Sequence, residues 1–114
     1  MVDVFNSLDV KVSCLGNHDL DFGIERMKEL VSMTSPCEWL ISNMTIKETG
    51  RPIGDLARWT TKQVKTESGT MKIGFFGVAE KEWLDLFGHE VPETLEYRDY
   101  IETSRELSKF LRKD

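Results

Sequence analysis

The stretch from residue 10 to residue 31 constrains the fold more than any other part of the chain. A short β-prone run, 10–15, ends in Gly16-Asn17-His18-Asp19, a composition that turns the backbone rather than extending a strand. Ile24, Met27, Leu30 and Val31 then recur at helical spacing, while Glu25, Arg26, Lys28 and Glu29 fill the opposite face. Asp21 is the expected N-cap and Pro36 the expected stop. Strand, turn and helix in that order make an α/β unit, and open α/β sheets hold their ligands at the carboxyl ends of strands. The turn is therefore the place to look for chemistry.

The remaining elements agree with an α/β class. Residues 2–8 read as the end of a helix, with Val4, Phe5 and Leu8 on one face. Trp39-Leu40-Ile41-Ser42 reads as a second buried strand with Asn43 at its carboxyl end. The run 59–65, the turn Glu67-Ser68-Gly69-Thr70 and the apolar run 71–78 form a hairpin. A short helix is expected over 81–87, stopped by Gly88, and a long amphipathic helix over 96–112. The inner stripe of that last helix would be Tyr97, Tyr100, Ile101, Ser104, Leu107 and Leu111. Trp39, Trp59, Trp83, Phe75 and Phe76 read as core packing. The expected architecture is about four strands and three to four helices, in a single partial domain spanning the chain. A helix that covers a sheet normally leads back into a strand. Here none follows the last helix and the chain opens inside one, so the expectation is an internal piece of a larger layered domain.

Composition narrows the partners. The chain has 114 residues, 39% apolar and 31% charged, which is enough for one small globular domain. Its net charge is −5, and the basic residues are scattered rather than clustered, which argues against nucleic acid. No apolar run is long enough to span a bilayer, and Met1-Val2-Asp3-Val4 lacks a signal-peptide pattern. Cys14 and Cys37 have neither a disulfide framework nor zinc-ligand spacing. Read as buried free thiols, they favour a reducing, cytoplasmic compartment.

The turn itself, Gly16-Asn17-His18-Asp19-Leu20-Asp21-Phe22-Gly23, carries side chains suited to phosphoryl chemistry. An Asn17 carboxamide can offer oxygen to a hard divalent cation. His18 can donate a hydrogen bond or a proton near neutral pH. Gly16 permits a tight turn, and Asp19 is close enough in sequence to orient the imidazole or cap the helix. Asn43 has two possible roles, contact near the substrate or satisfaction of backbone groups at a strand end. The tripeptide Asp21-Phe22-Gly23 also spells a protein-kinase metal motif, but the Gly-rich loop, strand lysine and catalytic loop are missing.

Residues 16–23 resemble the Gly-Asn-His-(Asp/Glu) motif of calcineurin-like metallophosphoesterases, and the extension through Asp21-Phe22-Gly23 is similar to the 5'-nucleotidase and cyclic-phosphodiesterase branch. Phe5-Asn6-Ser7-Leu8, Leu40-Ile41-Ser42-Asn43 and Lys72-Ile73-Gly74-Phe75-Phe76-Gly77 look like flanking elements of that branch in the right order. The resemblance implies a layered α/β sandwich and two divalent metals of the Mn, Zn, Fe or Mg class. It implies a hydroxide on those metals attacking a phosphate ester, that of a nucleotide. It implies that Asn17 is a metal ligand and that His18 contacts the phosphate and assists the leaving group.

The family's Asp-x-His, Gly-Asp, lone His and Gly-His-x-His motifs have no counterpart here. Gly88-His89-Glu90-Val91 has Val91 where a second His would stand and precedes the long helix, so His89 reads as a surface or capping residue. One amide ligand cannot hold two cations, so the chain alone is expected to be inactive and to bind metal weakly. Exposed sheet edges would invite self-association. The alternative is a truncated, non-catalytic binding or assembly module that keeps only the fold elements.

Overall fold

The computed structural model describes residues 1–90 and 93–113, and for 86–90 the backbone alone, so the side chain of His89 and all of Val91 lie outside the described residues. Three α-helices occur among them: α1 (Val2–Ser7), α2 (Ile24–Ser32) and α3 (Tyr100–Leu111). Six strands accompany these helices: β1 (Val12–Cys14), β2 (Glu38–Leu40), β3 (Met44–Ile46), β4 (Trp59–Thr66), β5 (Gly69–Phe76) and β6 (Leu95–Tyr97). Short 3-10 turns cover Asn17–Leu20, Ile53–Asp55 and Lys81–Glu90. The class is α/β, as the order of runs implies.

β2 is the centre of the layer that carries the turn. β1 lies parallel to it, with Val12 opposite Glu38 and Cys14 opposite Leu40. On its other side Ile41 N–H donates to Ala57 O, Ala57 N–H donates to Trp39 O, and Ser42 N–H donates to Gly77 O. β4 and β5 form the expected hairpin, in register from Trp59↔Phe76 to Thr66↔Gly69. β3 and β6 pair antiparallel, from Met44↔Tyr97 to Ile46↔Leu95. Those two strands are not evident in the sequence. Three residues are too few to show a period of two, and their pairing spans about half the chain.

One buried cluster joins the elements: Leu15, Leu20, Met27, Ile41, Met44, Ile53, Leu56, Ala79 and Leu95. Full burial of an aliphatic side chain of this size contributes about 1.5–3 kcal/mol. Leu20 anchors the 3-10 turn and Met27 anchors α2 in the same core, so the turn is pinned from beneath. Gly54 has φ +64°, and a Cβ there would run into the Met27 methyl. The thioether therefore packs on bare backbone.

Several expectations are corrected. The last helix begins at Tyr100 rather than 96, because residues 95–97 belong to β6 and Asp99 supplies the cap. Its Oδ1 accepts from Ile101 N–H at 2.9 Å and Glu102 N–H at 3.0 Å. The inner face of α3 centres on Thr103 and Leu107, while Tyr100 and Ile101 are exposed. The helix leans its C-terminal half on β5, where Leu111 lies over Gly74. The helix expected over 81–87 is a 3-10 run that continues past Gly88. α2 is capped by Gly23 with no side-chain cap and ends at Ser32, short of Pro36. Asp21 stands too early in the chain for that cap and closes the 3-10 turn instead. Trp59 is exposed and tilts against Phe110, ring centroids 5.3 Å apart. Cys14 is exposed and Cys37 half-buried, both free.

Candidate functional site

β1 delivers the chain to the carboxyl end of the parallel pair, and Leu15 N–H still bonds Leu40 O at 3.0 Å. Gly16 follows in extended backbone, φ −99° and ψ 160°, which any residue could adopt. Its small size matters for a different reason: a Cβ there would meet the Asp19 carboxylate at 3.2 Å. Asp19 folds back so that Oδ2 accepts from Gly16 N–H at 2.7 Å, while Asp19 N–H donates to Gly16 O at 3.1 Å. These reciprocal bonds lock the turn. Asp19 therefore secures the loop rather than the imidazole.

The imidazole has a different partner. His18 Nδ1 lies 3.0 Å from Asp21 Oδ2. Residues three apart eclipse on a 3-10 turn, which puts the two side chains side by side. An ionised carboxylate can only accept, so Nδ1 carries the hydrogen and Nε2 is left for another partner. The His18 side chain is 82% exposed and that of Asp21 45%, so Nε2 faces open space. Asn17, the first residue of the turn, is half-buried, and its carboxamide makes no hydrogen bond among the described residues.

Asn43 sits at the matching place beyond β2 but is fully buried. Its Nδ2 donates to Ala79 O at 2.8 Å and to Arg98 O at 2.9 Å, and its Oδ1 accepts from Ala79 N–H at 2.9 Å. Of the two roles open to it, this geometry matches the satisfaction of backbone groups. Ser42 does similar work next door, donating to Arg58 O and accepting from Gly77 N–H at 3.2 Å. Asp21 and Ser42 are the residues that the sequence reading left without these roles. The three-residue spacing of His18 and Asp21 was the available signal for the first. Nothing local announces the second.

The donor set does not fit a complete metal centre. Among the described residues no group of three His, Cys, Asp or Glu side chains could hold an ion. Asn17 can offer one carboxamide oxygen, and the exposed imidazole another donor. Cys14, two residues before Gly16, is a poor thiolate, because partial burial pushes its pKa up and the Asp19 carboxylate adds to the rise. A cleft of about 310 Å³ lies between α1, α2 and β2, lined by Phe5, Met27, Val31, Trp39 and Asp19 among others, and is apolar. Neither Asn17 nor His18 lines it. No helix among the described residues is long and apolar enough to cross a membrane.

No protein-family model matches the sequence, and no curated protein matches it significantly. Solved structures do match the fold. The calcineurin-like phosphoesterase YfkN of Bacillus subtilis superposes with a TM-score of 0.77 over 97% of this chain, at 16% identity. The chain has the fold of a segment of a calcineurin-like phosphoesterase. The NAD nucleotidase NadN of Haemophilus influenzae superposes with a TM-score of 0.74 over 98% of this chain, at 18% identity. The chain spans 34% of the first protein and 19% of the second. At these identities the likeness is one of fold.

Proposed function

We propose that this chain supplies the histidine-bearing turn of a phosphoester hydrolase of the 5'-nucleotidase type, acting on a nucleotide or a related phosphate ester. The observation that carries the reading is His18: it stands exposed at the carboxyl end of a parallel strand with Nδ1 tied to Asp21 and Nε2 free to meet a ligand. Protonated, Nε2 donates a hydrogen bond to a phosphoryl oxygen and passes its proton to the departing ester oxygen as water attacks phosphorus, forming one P–O bond while the ester P–O bond breaks. Asp21 holds the ring in orientation. Asp19 keeps the turn in shape through Gly16. Asn17 would contribute one carboxamide oxygen toward a divalent cation.

Divalent cations supply charge neutralisation at phosphorus in such enzymes, and the described residues gather no ligand cluster that would hold them. The 114 residues alone are therefore inactive and weak in metal affinity under this reading. The nucleotidase among the structural neighbours supports the nucleotide class of substrate. Among the described residues β1 pairs on one side only, which leaves an edge through which a second copy can pair. Two free cysteines suit a reducing compartment. The missing ligand cluster favours a second reading, a non-catalytic binding or assembly module.

One experiment separates the two. Hydrolysis of p-nitrophenyl phosphate and of adenosine 5'-monophosphate is measured with manganese, for the chain alone and for the chain with the polypeptide its gene encodes around it. The enzyme reading expects turnover from the second only, lowered about 10²–10⁴-fold by His18→Ala. No turnover from either, or a kcat that His18→Ala leaves unchanged, supports the module.

A further inference from the structure

The basic residues are scattered along the sequence, yet the fold gathers half of them in one corner. Residues 58–76 carry Arg58, Lys62, Lys65 and Lys72 against a single acidic residue, Glu67. Residues 105–113 carry Arg105, Lys109, Arg112 and Lys113 against Glu106 alone. In a chain of net charge −5 the remainder is correspondingly acidic. The first stretch spans the β4–β5 hairpin and the second the C-terminal half of α3, and the two pack together. Leu111 lies over Gly74, and the rings of Phe110 and Trp59 meet at 5.3 Å. An open cleft at this junction is lined by Arg58 from the hairpin and by Lys109 and Lys113 from the helix, together with the exposed Trp59 and Phe110. Arg58 is tied to Glu106 and Lys62 to Glu38. Lys65, Arg105, Lys109, Arg112 and Lys113 are exposed and make no ion pair among the described residues. Cations in the last turn suit the dipole of a helix, but the hairpin has no such need.

The opposite charge collects elsewhere. Residues 80–96 hold six acidic side chains against one lysine, Lys81. Glu80, Glu82, Asp85, Glu93 and Glu96 are exposed, and none is in an ion pair among the described residues. The Asn43 clasp draws the two ends of this run together. Its carboxamide holds Ala79 O and Arg98 O, and Tyr97 Oη donates to Ala79 O at 3.1 Å. Burial first, then the Asp99 and Glu82 carboxylates, push the Tyr97 phenol above its usual pKa, which puts Glu82 within reach of β6. One chain therefore presents a basic surface with exposed aromatic rings and a separate acidic run, and both are unpaired. Complementary charge of this kind sets the register of an association and speeds the encounter.

We infer that the basic corner formed by β4, β5 and the end of α3 is an interaction surface for a second copy of this chain, whose 80–96 run docks on it. Each copy carries one surface of each sign, so the contact joins unlike patches. It differs from the free edge of β1 in place and in chemistry. Edge pairing is made of backbone hydrogen bonds, whereas attraction between exposed charges is screened beyond about 8 Å at physiological salt. The inference goes beyond the proposed function and holds whether or not His18 meets a phosphate.

The test is sedimentation equilibrium of the 114-residue chain at about 20 mM and about 500 mM NaCl, between which the Debye length shrinks several-fold. At low salt the mass is expected to rise above that of the monomer as concentration increases, and at high salt to return to it. Two double variants neutralise one surface each: Lys109→Gln with Lys113→Gln, and Glu82→Gln with Asp85→Asn. All four side chains are exposed and outside any ion pair among the described residues, so the fold is expected to tolerate their change. Each double variant is expected to self-associate on the order of tenfold more weakly. Mixed, the two are expected to recover the wild-type affinity in a pair, because each supplies the surface that the other has lost. A chain that stays monomeric at low salt, variants that associate like the wild type, or a mixture no tighter than its components overturns the inference. Association that survives high salt also overturns it and assigns the contact to the β1 edge.

Discussion

Asn17 and Asn43 occupy equivalent places in the fold and have opposite fates. Cys14 and Leu40 face each other in register, and each asparagine stands three residues beyond. After β1 the chain doubles back in a 3-10 turn toward α2, which leaves the Asn17 carboxamide half-buried and without a hydrogen-bond partner among the described residues. After β2 the chain runs into β3, and Ala79 and Arg98 arrive from 36 and 55 residues away to saturate Asn43. The residue type and the sheet position are the same. What separates a ligand candidate from a structural clasp is the partner that reaches it.

That contrast is broken most directly by removing each side chain in turn. Asn43→Ala strands the Arg98 carbonyl and the Ala79 amide in the core, while Ala79 O keeps only the Tyr97 hydroxyl at 3.1 Å, and each unsatisfied buried group costs about 1–3 kcal/mol. The expected loss is about 3 kcal/mol or more, read as a lower urea midpoint. Asn17→Ala strands nothing, and its effect on stability is expected within about 0.5 kcal/mol. Equal losses from the two variants would mean that the turn is as integral to the core as the clasp.

The next largest effect tests the floor of the clasp. A Cβ at Gly77 would stand 2.6 Å from Cys14 Sγ and 3.0 Å from Leu40 O. Leu40 O is backbone and cannot step aside cheaply. Gly77→Ala is expected to cost about 1–3 kcal/mol. The same substitution at Gly50, whose Cβ would meet nothing within 4 Å, tests backbone strain alone, since its φ is +67°. A Gly50 loss as large as that at Gly77 would place the cost in φ rather than in packing.

Asp99 sharpens the comparison from the far end of the clasp, since it follows the Arg98 carbonyl that Asn43 holds. Asp99→Ala removes two capping bonds to α3 and is expected to cost about 1 kcal/mol by chemical denaturation. The cap was legible in hindsight from an aspartate preceding Tyr100, yet the amphipathic pattern had drawn the helix back to residue 96. The pattern was real but blended a strand with a helix. Tyr97 belongs to β6 and packs on the core, while Tyr100 on the helix faces solvent. The turn at 16–23 was legible because its determinants are local, a glycine, a folded-back aspartate and a three-residue histidine–aspartate spacing. β3, β6 and the burial of Asn43 were not, because contacts across dozens of residues create them.

The smallest expected effect concerns pH and lies in the same long-range layer. Glu106 on α3 reaches Arg98 and Arg58, both at 2.9 Å, tying α3 to residues beside β6 and β4. The hydrogen bond from Arg98, then that from Arg58, lowers its carboxyl pKa against the opposing effect of desolvation. Glu38 is lowered likewise, by the Thr60 hydroxyl first and then Lys62. A carboxyl whose folded pKa lies below its unfolded value stabilises the fold above the unfolded value, about 4.3 for glutamate. That contribution fades as pH falls through the folded pKa. Because Glu106 is 45% exposed at its side chain, solvent screening keeps the effect small. The expected result is a decline in the urea midpoint that begins as pH drops below about 4.3 and that Glu106→Gln makes shallower. Asp21→Asn bears on the local turn rather than on this layer, and at neutral pH it is expected to leave the midpoint nearly unchanged while removing the charge that faces the His18 ring. A large stability loss from Asp21→Asn would show that the turn, like the clasp, is held by the fold rather than presented by it.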